Sequence, residues 1–138
     1  MACLFLFLTR GDYAKGGSMI CTSYYAKAIK YPDTFRIAIS RSIPSWFKPD
    51  CQLAWLAPTW EMLTRYKETG DSNEYTRKYL NILLSKDNTL KYLAERLIAK
   101  ERKQNILLLC WEASGKFCHR KLLADYMNVR FNMNIVEL

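Results

Sequence analysis

The sequence predicts an α/β fold: a single Rossmann-like three-layer domain built on a mainly parallel sheet. Three observations predict it. Short apolar or alternating segments recur along the chain, and longer segments with helical spacing lie between them. The most apolar run, Ile106-Leu107-Leu108-Leu109, is brief and flanked by polar residues, as suits a central strand covered on both faces. Strands alternating with helices favour parallel pairing through crossover connections. At 138 residues, half hydrophobic and a quarter charged, the chain has the length of one domain and the composition of a folded one.

The N-terminal stretch stands apart from this pattern. Ala2 to Leu8 form an apolar run far shorter than the roughly 20 residues that span a bilayer, and no basic residue precedes it as a secretory signal would require. Lys15-Gly16-Gly17 can be encoded by a purine-rich string with the form of a bacterial ribosome-binding site, and Met19 follows at a workable spacing. Residues 1–18 are therefore expected to be a non-native or disordered extension, and residues 19–138 a single α/β domain.

The elements follow in order. Met19 to Thr22 reads as a short strand and Phe35 to Ile39 as a second, each followed by polar residues, Ser23 after one and Ser40-Arg41-Ser42 after the other. Ile43 to Pro58 holds three of the four prolines and two of the four tryptophans, which predicts an irregular connection. Pro58-Thr59 offers a cap for a helix from Trp60 to about Lys67, stopped near Gly70. Asp71 or Ser72 caps the next, with Tyr75, Tyr79, Leu80 and Leu83 on one face. Leu90, Leu93, Ala94, Leu97 and Ile98 make the clearest amphipathic stripe. Beyond the central strand, a loop with Gly115 leads to a helix starting near Cys118, and Ile135-Val136 reads as an edge strand.

A net charge of +8 favours anionic partners. The basic side chains are dispersed, which argues against a dedicated DNA-reading surface, and the denser Lys100, Arg102 and Lys103 suit a solvated helix end. Five cysteines without regular spacing do not form a secreted disulfide framework, so a reducing cytoplasm is expected.

The chemistry concentrates in Cys110 to Arg120. A buried strand feeding a loop and a helix N-terminus places polar groups at the carboxyl edge of the sheet, where open α/β folds hold ligands. Free N–H groups there favour an anion, and Arg120 suits a phosphate or carboxylate. Cys118 at the helix start is either an acidified nucleophilic or redox thiol or a small buried residue, and Cys110 either a core thiol or a pocket wall. Glu112 is structural if paired with Arg120, and a general acid, base or nucleophile if unpaired and desolvated. Cys110, Glu112, Cys118 and His119 are zinc's preferred ligand types. Adjacent Cys118 and His119 are not expected to converge on one ion, no CxxC pair is present, and neither a metal nor another cofactor is expected. A cysteine-phosphatase loop is excluded because Lys116 stands where an arginine is required.

Taken together, TSYYA at Thr22 to Ala26, SRSIPSWF at Ser40 to Phe47, LAPTW at Leu56 to Trp60 and LLCWEASGKFCHRKLLADY at Leu108 to Tyr126 resemble the bacterial and phage proteins grouped as domain of unknown function 488. The resemblance runs from about Ile20 to Asn128. It implies a Rossmann-like domain and a shared polar site, and it carries no assigned reaction. That site would draw Ser23 and Tyr24 from the first loop, Ser40, Arg41 and Trp46 from the second, and Cys110, Glu112, Cys118, His119 and Arg120 from the third. Tyr24 and Trp46 would stack on a planar ring while Arg41 and Arg120 bind phosphate.

Two functional readings follow. In the first, the protein is an enzyme acting on a nucleotide, nucleoside or nucleic-acid substrate by hydrolysis or group transfer, with Glu112 as the catalytic carboxylate and Cys118 or His119 assisting. In the alternative it is a non-catalytic binding module for a nucleotide or metabolite, a sensor or phage sequestering protein. The expected partner is a small anionic, nucleotide-like ligand; nucleic acid is a possible partner, and a membrane is not expected.

Overall fold

A computed structural model describes residues 18–113 and 115–138. The expected N-terminal extension, apart from Ser18, lies outside the described residues.

Among the described residues the core is a five-stranded sheet in which all strands run parallel: β1 (Ile20–Tyr24), β2 (Phe35–Ala38), β3 (Cys51–Gln52), β4 (Ile106–Cys110) and β5 (Val136–Glu137). The strand order is β3-β2-β4-β1-β5. The chain enters at β1, moves out to β2 and β3, and returns to insert β4 between β1 and β2. Ile106-Leu107-Leu108-Leu109 thus becomes the central strand, buried along its whole length. Tyr24 pairs with Cys110, and Ala38 with Leu109, so these three strands end at one rim.

The connections are α1 (Tyr25–Ala28), a 3₁₀ turn at Ala54–Leu56, α2 (Trp60–Thr69), α3 (Ser72–Ser85), α4 (Asp87–Glu101) and α5 (His119–Phe131). Alternation along β4 divides the core. Ile106, Leu108 and Cys110 face a thick layer formed by α2 to α5, with Met62, Tyr79, Leu83, Leu97, Leu123 and Met127. Leu107 and Leu109 face a thin layer of α1 and the aromatic loop that follows β2, with Tyr25, Ala28 and Phe47.

The predicted helix boundaries rest on local chemistry. The Thr59 hydroxyl accepts the Met62 N–H at 3.1 Å and the Asp71 carboxylate accepts the Glu74 N–H at 3.0 Å, each capping a helix start. Gly70 closes α2 in a left-handed conformation, φ 68°, which a Cβ would disfavour.

Two expectations are corrected. The connection after β2 is not wholly irregular. Arg36 and Asp50 exchange backbone and side-chain bonds at 2.8 Å, which aligns Cys51-Gln52 along the open edge of β2 as β3. The first strand continues through Ser23 and Tyr24, because their partners Leu109 and Cys110 belong to the still-paired central strand. No helix among the described residues is long and apolar enough to cross a membrane.

Candidate functional site

A cleft of about 640 Å³ opens at the rim of β2 and β4, on the side of the thick helical layer. Its strand-end wall is Ser40, Arg41 and Ser42 after β2 and Cys110, Trp111 and Glu112 after β4; Cys118 and His119 close the floor. The opposite wall is α2, through Trp60, Leu63, Tyr66 and Lys67, with Tyr75 of α3, and Lys116 and Phe117 complete the lining.

Backbone and side-chain bonds fix these walls. The Gln52 amide donates to the carbonyls of Ser40 and Arg41 at 3.0 and 2.8 Å, and the Trp111 indole N–H donates to the Ser42 carbonyl at 2.9 Å. Arg41 is held through Nε to the Pro58 carbonyl at 3.1 Å, and its terminal nitrogens have no partner among the described residues. Phe117 packs against Tyr66 and Tyr75, each with centroids 5.0 Å away. Gly115 turns the loop at φ 83°, a conformation a larger residue adopts only with strain.

His119 is the first residue of α5 and is buried. Its Nε2–H donates to the Ile39 carbonyl at 2.8 Å, which sets the tautomer and leaves the Nδ1 lone pair 3.7 Å from the Cys118 sulfur. Burial, reinforced by the Arg120 charge and partly offset by the Ile39 bond, lowers its pKa from 6.5 to about 4, so the ring is neutral at physiological pH. Cys110 and Cys118 are joined as a disulfide across the floor of the cleft, although their Cα atoms are 7.9 Å apart. The expected stereochemical obstacle between Cys118 and His119 does not arise. Cys118 is the extended N-cap, φ −154° and ψ 149°, while His119 is helical, so adjacent residues aim at one point. One ligand atom from each of Cys110, Cys118 and His119 lies within 4.8 Å of the others.

Glu112 has no hydrogen-bond or ion-pair partner for its carboxylate among the described residues, but it is exposed, so the expected desolvation is not met: the loop leaves β4 toward solvent. Its charge acts on the phenols around it. Burial, followed by the Glu112 charge, raises the pKa of Tyr75 well above the ordinary value, so this cleft hydroxyl stays protonated. Burial above all, with the same charge adding, raises Tyr25 as well, against the lowering effect of its short contact with Ser40.

Of the residues expected at a shared site, Ser40, Arg41, Cys110, Glu112, Cys118 and His119 meet at this cleft. Ser23, Tyr24, Trp46 and Arg120 do not line it. Ser23 is wholly buried within β1, its hydroxyl without a partner, and Tyr24 ends the same strand on the far side of β4. Trp46 lies in the aromatic loop, edge-on to Phe47 of the thin layer. Arg120 follows His119 on the helix and is turned toward β5. It pairs with Glu137 at 2.9 Å, donates to the Cys110 sulfur at 2.9 Å, and caps the backbone carbonyl of Glu112. The alternative of a Glu112–Arg120 ion pair is thereby excluded.

Sequence reasoning missed Trp60, Tyr66, Lys67, Trp111, Lys116 and Phe117, and assigned Tyr75 only to the core. Trp111, Lys116 and Phe117 lie between residues already singled out, and that adjacency was an available signal. Trp60, Tyr66 and Lys67 gave none, because they reach the cleft only through the packing of α2. Among the lining charges, Arg41, Lys67 and Lys116 outnumber Glu112, so the cleft favours anions.

No curated protein and no solved structure matches the chain. Residues 20–130 match the family model described as the active DUF488-N3 subclade. That match covers well over half of the chain, and with the sheet topology and the Cys110-to-Arg120 unit now described, the protein belongs to the DUF488 family.

Proposed function

We propose that the protein is an enzyme that hydrolyses, or transfers a group from, a nucleotide, nucleoside or nucleic-acid end bound in the rim cleft. The observation that carries this reading is the pairing of exposed aromatic walls with cations around a carboxylate that has no partner among the described residues. Trp60, Trp111 and Phe117 are large apolar surfaces left open to solvent, which suits stacking on a planar ring. Arg41, Lys67 and Lys116 supply the charge for phosphate. A volume of about 640 Å³ lies within the range of small-molecule sites. Glu112 then serves as general acid or base beside the bound ligand, and the protonated Tyr75 phenol serves as a donor.

The test is a screen of the purified protein against a nucleotide and nucleoside pool, followed by Glu112→Gln. Conversion of one component, reduced at least about a hundredfold in the variant with binding retained, is the expected result. Recovery of unaltered ligand in stoichiometric amount overturns the enzymatic reading and leaves a capture function. Unchanged turnover in Glu112→Gln removes Glu112 from the chemistry.

A further inference from the structure

We infer that Cys110, Cys118 and His119 form a binding site for a zinc-type divalent ion at the floor of the cleft. The three donors come from two elements, the end of β4 and the start of α5, and all are buried while still lining the cleft. Their ligand atoms lie within 4.8 Å of one another. A tetrahedral ion holding a thiolate at about 2.3 Å and an imidazole nitrogen at about 2.05 Å sets the two donors roughly 3.6 Å apart. The Cys118 sulfur and His119 Nδ1 stand at 3.7 Å.

The site belongs to the reduced protein, because the structure joins Cys110 and Cys118 as a disulfide; the backbone spacing suits that bond poorly. Cys110 and Cys118 are 7.9 Å apart at Cα, beyond the roughly 4.4–6.8 Å that disulfides usually span. On one ion the two sulfurs stand about 3.8 Å apart, and the wide Cα separation leaves room for that.

The surrounding bonds also suit ligation. Metal-bound histidines ordinarily donate their other N–H to a carbonyl or carboxylate, which orients the ring. His119 Nε2 does this to the Ile39 carbonyl at 2.8 Å. Thiolate ligands are stabilised by charged donors, and Arg120 donates to the Cys110 sulfur at 2.9 Å.

Two cysteines and one histidine leave the fourth position of a tetrahedral ion to water or substrate, the pattern of catalytic rather than structural zinc sites. Cys110, Cys118 and His119 line the same cleft as Glu112, so that position would be open to it. A bound ion would act as a Lewis acid and lower the pKa of its water. Only this catalytic role rests on the enzymatic reading above; the binding of the ion does not.

The experiment uses the full chain, reduced, stripped of metal and titrated with Zn²⁺ or Co²⁺, with elemental analysis of protein purified without chelator. The expected result is one ion per chain, with Co²⁺ giving a thiolate charge-transfer band and the intense visible bands of tetrahedral coordination. Cys118→Ser and His119→Gln, each confirmed as folded by circular dichroism, should weaken binding by more than the 10- to 100-fold typical of losing an outer hydrogen bond. Cys51→Ser, a thiol outside the cluster, should leave it unchanged. Folded, reduced protein that takes up neither ion overturns the site, as does loss of binding in Cys51→Ser equal to that in Cys118→Ser. Metal uptake without nucleotide binding upholds the site and sinks the functional reading, whereas nucleotide turnover by protein that binds no metal does the reverse.

Discussion

Arg120 and Glu137 are joined by two parallel charged bonds, Nε to Oε1 at 3.1 Å and Nη2 to Oε2 at 2.9 Å. The guanidinium is buried and the carboxylate partly exposed. Through its remaining nitrogen the arginine also holds the Cys110 sulfur and the Glu112 carbonyl, so one side chain ties the edge strand β5 to the loop beneath the cleft.

Removing the carboxylate strands that buried charge. Breaking a wholly buried pair costs roughly 3–5 kcal/mol, and the partial exposure of Glu137 reduces the effect. Glu137→Gln is expected to lower stability by about 2 kcal/mol, read as a shift of the urea midpoint with an unchanged slope. A shift below about 0.5 kcal/mol would show the pair to be energetically idle.

Trp60 and Trp46 are similarly exposed, at 62% and 57%, but only Trp60 lines the cleft. Loss of a stacking surface costs about 1–3 kcal/mol per base. Trp60→Ala should therefore weaken nucleotide binding roughly 5- to 150-fold by calorimetry, while Trp46→Ala leaves it unaltered. Equal losses in the two variants would place the ligand elsewhere.

Acid should loosen the contact between α4 and α5. The Asp87 carboxylate accepts bonds from the Tyr126 hydroxyl and from Arg130, and these lower its pKa below the ordinary 3.8. A depressed folded-state pKa gives stability that is present above 3.8 and disappears as pH falls through the folded value. Urea midpoints of the native protein and Asp87→Asn should thus differ most above pH 4 and converge in stronger acid. A constant gap across the acid range would remove Asp87 as the cause.

Much of this architecture is legible in the sequence where the determining forces are local. Thr59, Gly70 and Asp71 announce helix ends because a cap acts within one turn, and Ile106 to Leu109 announce a central strand because only double burial tolerates such a run. Parallel pairing then brings Ser40, Arg41, Cys110 and Glu112 to one rim. What local signals do not carry is the face. Ser23 and Trp46 lie on strands and loops that reach the right end of the sheet but on other sides of it, and Arg120 is one helical step from His119 yet turns to β5. The α2 wall depends on how a helix that ends 37 residues before β4 in sequence docks, so Trp60 and Tyr66 stay hidden until the chain is folded.

The bond from His119 to Ile39 has a dynamic consequence. The N–H of the same Ile39 donates to the Leu109 carbonyl at 2.9 Å, continuing the β2–β4 ladder, so the imidazole is an extension of the sheet's own hydrogen-bond lattice. Its reorientation is coupled to the infrequent opening of the central strands. The ring is therefore a stationary reference beside the cleft, and slow deuterium uptake at the Ile39 amide is its signature.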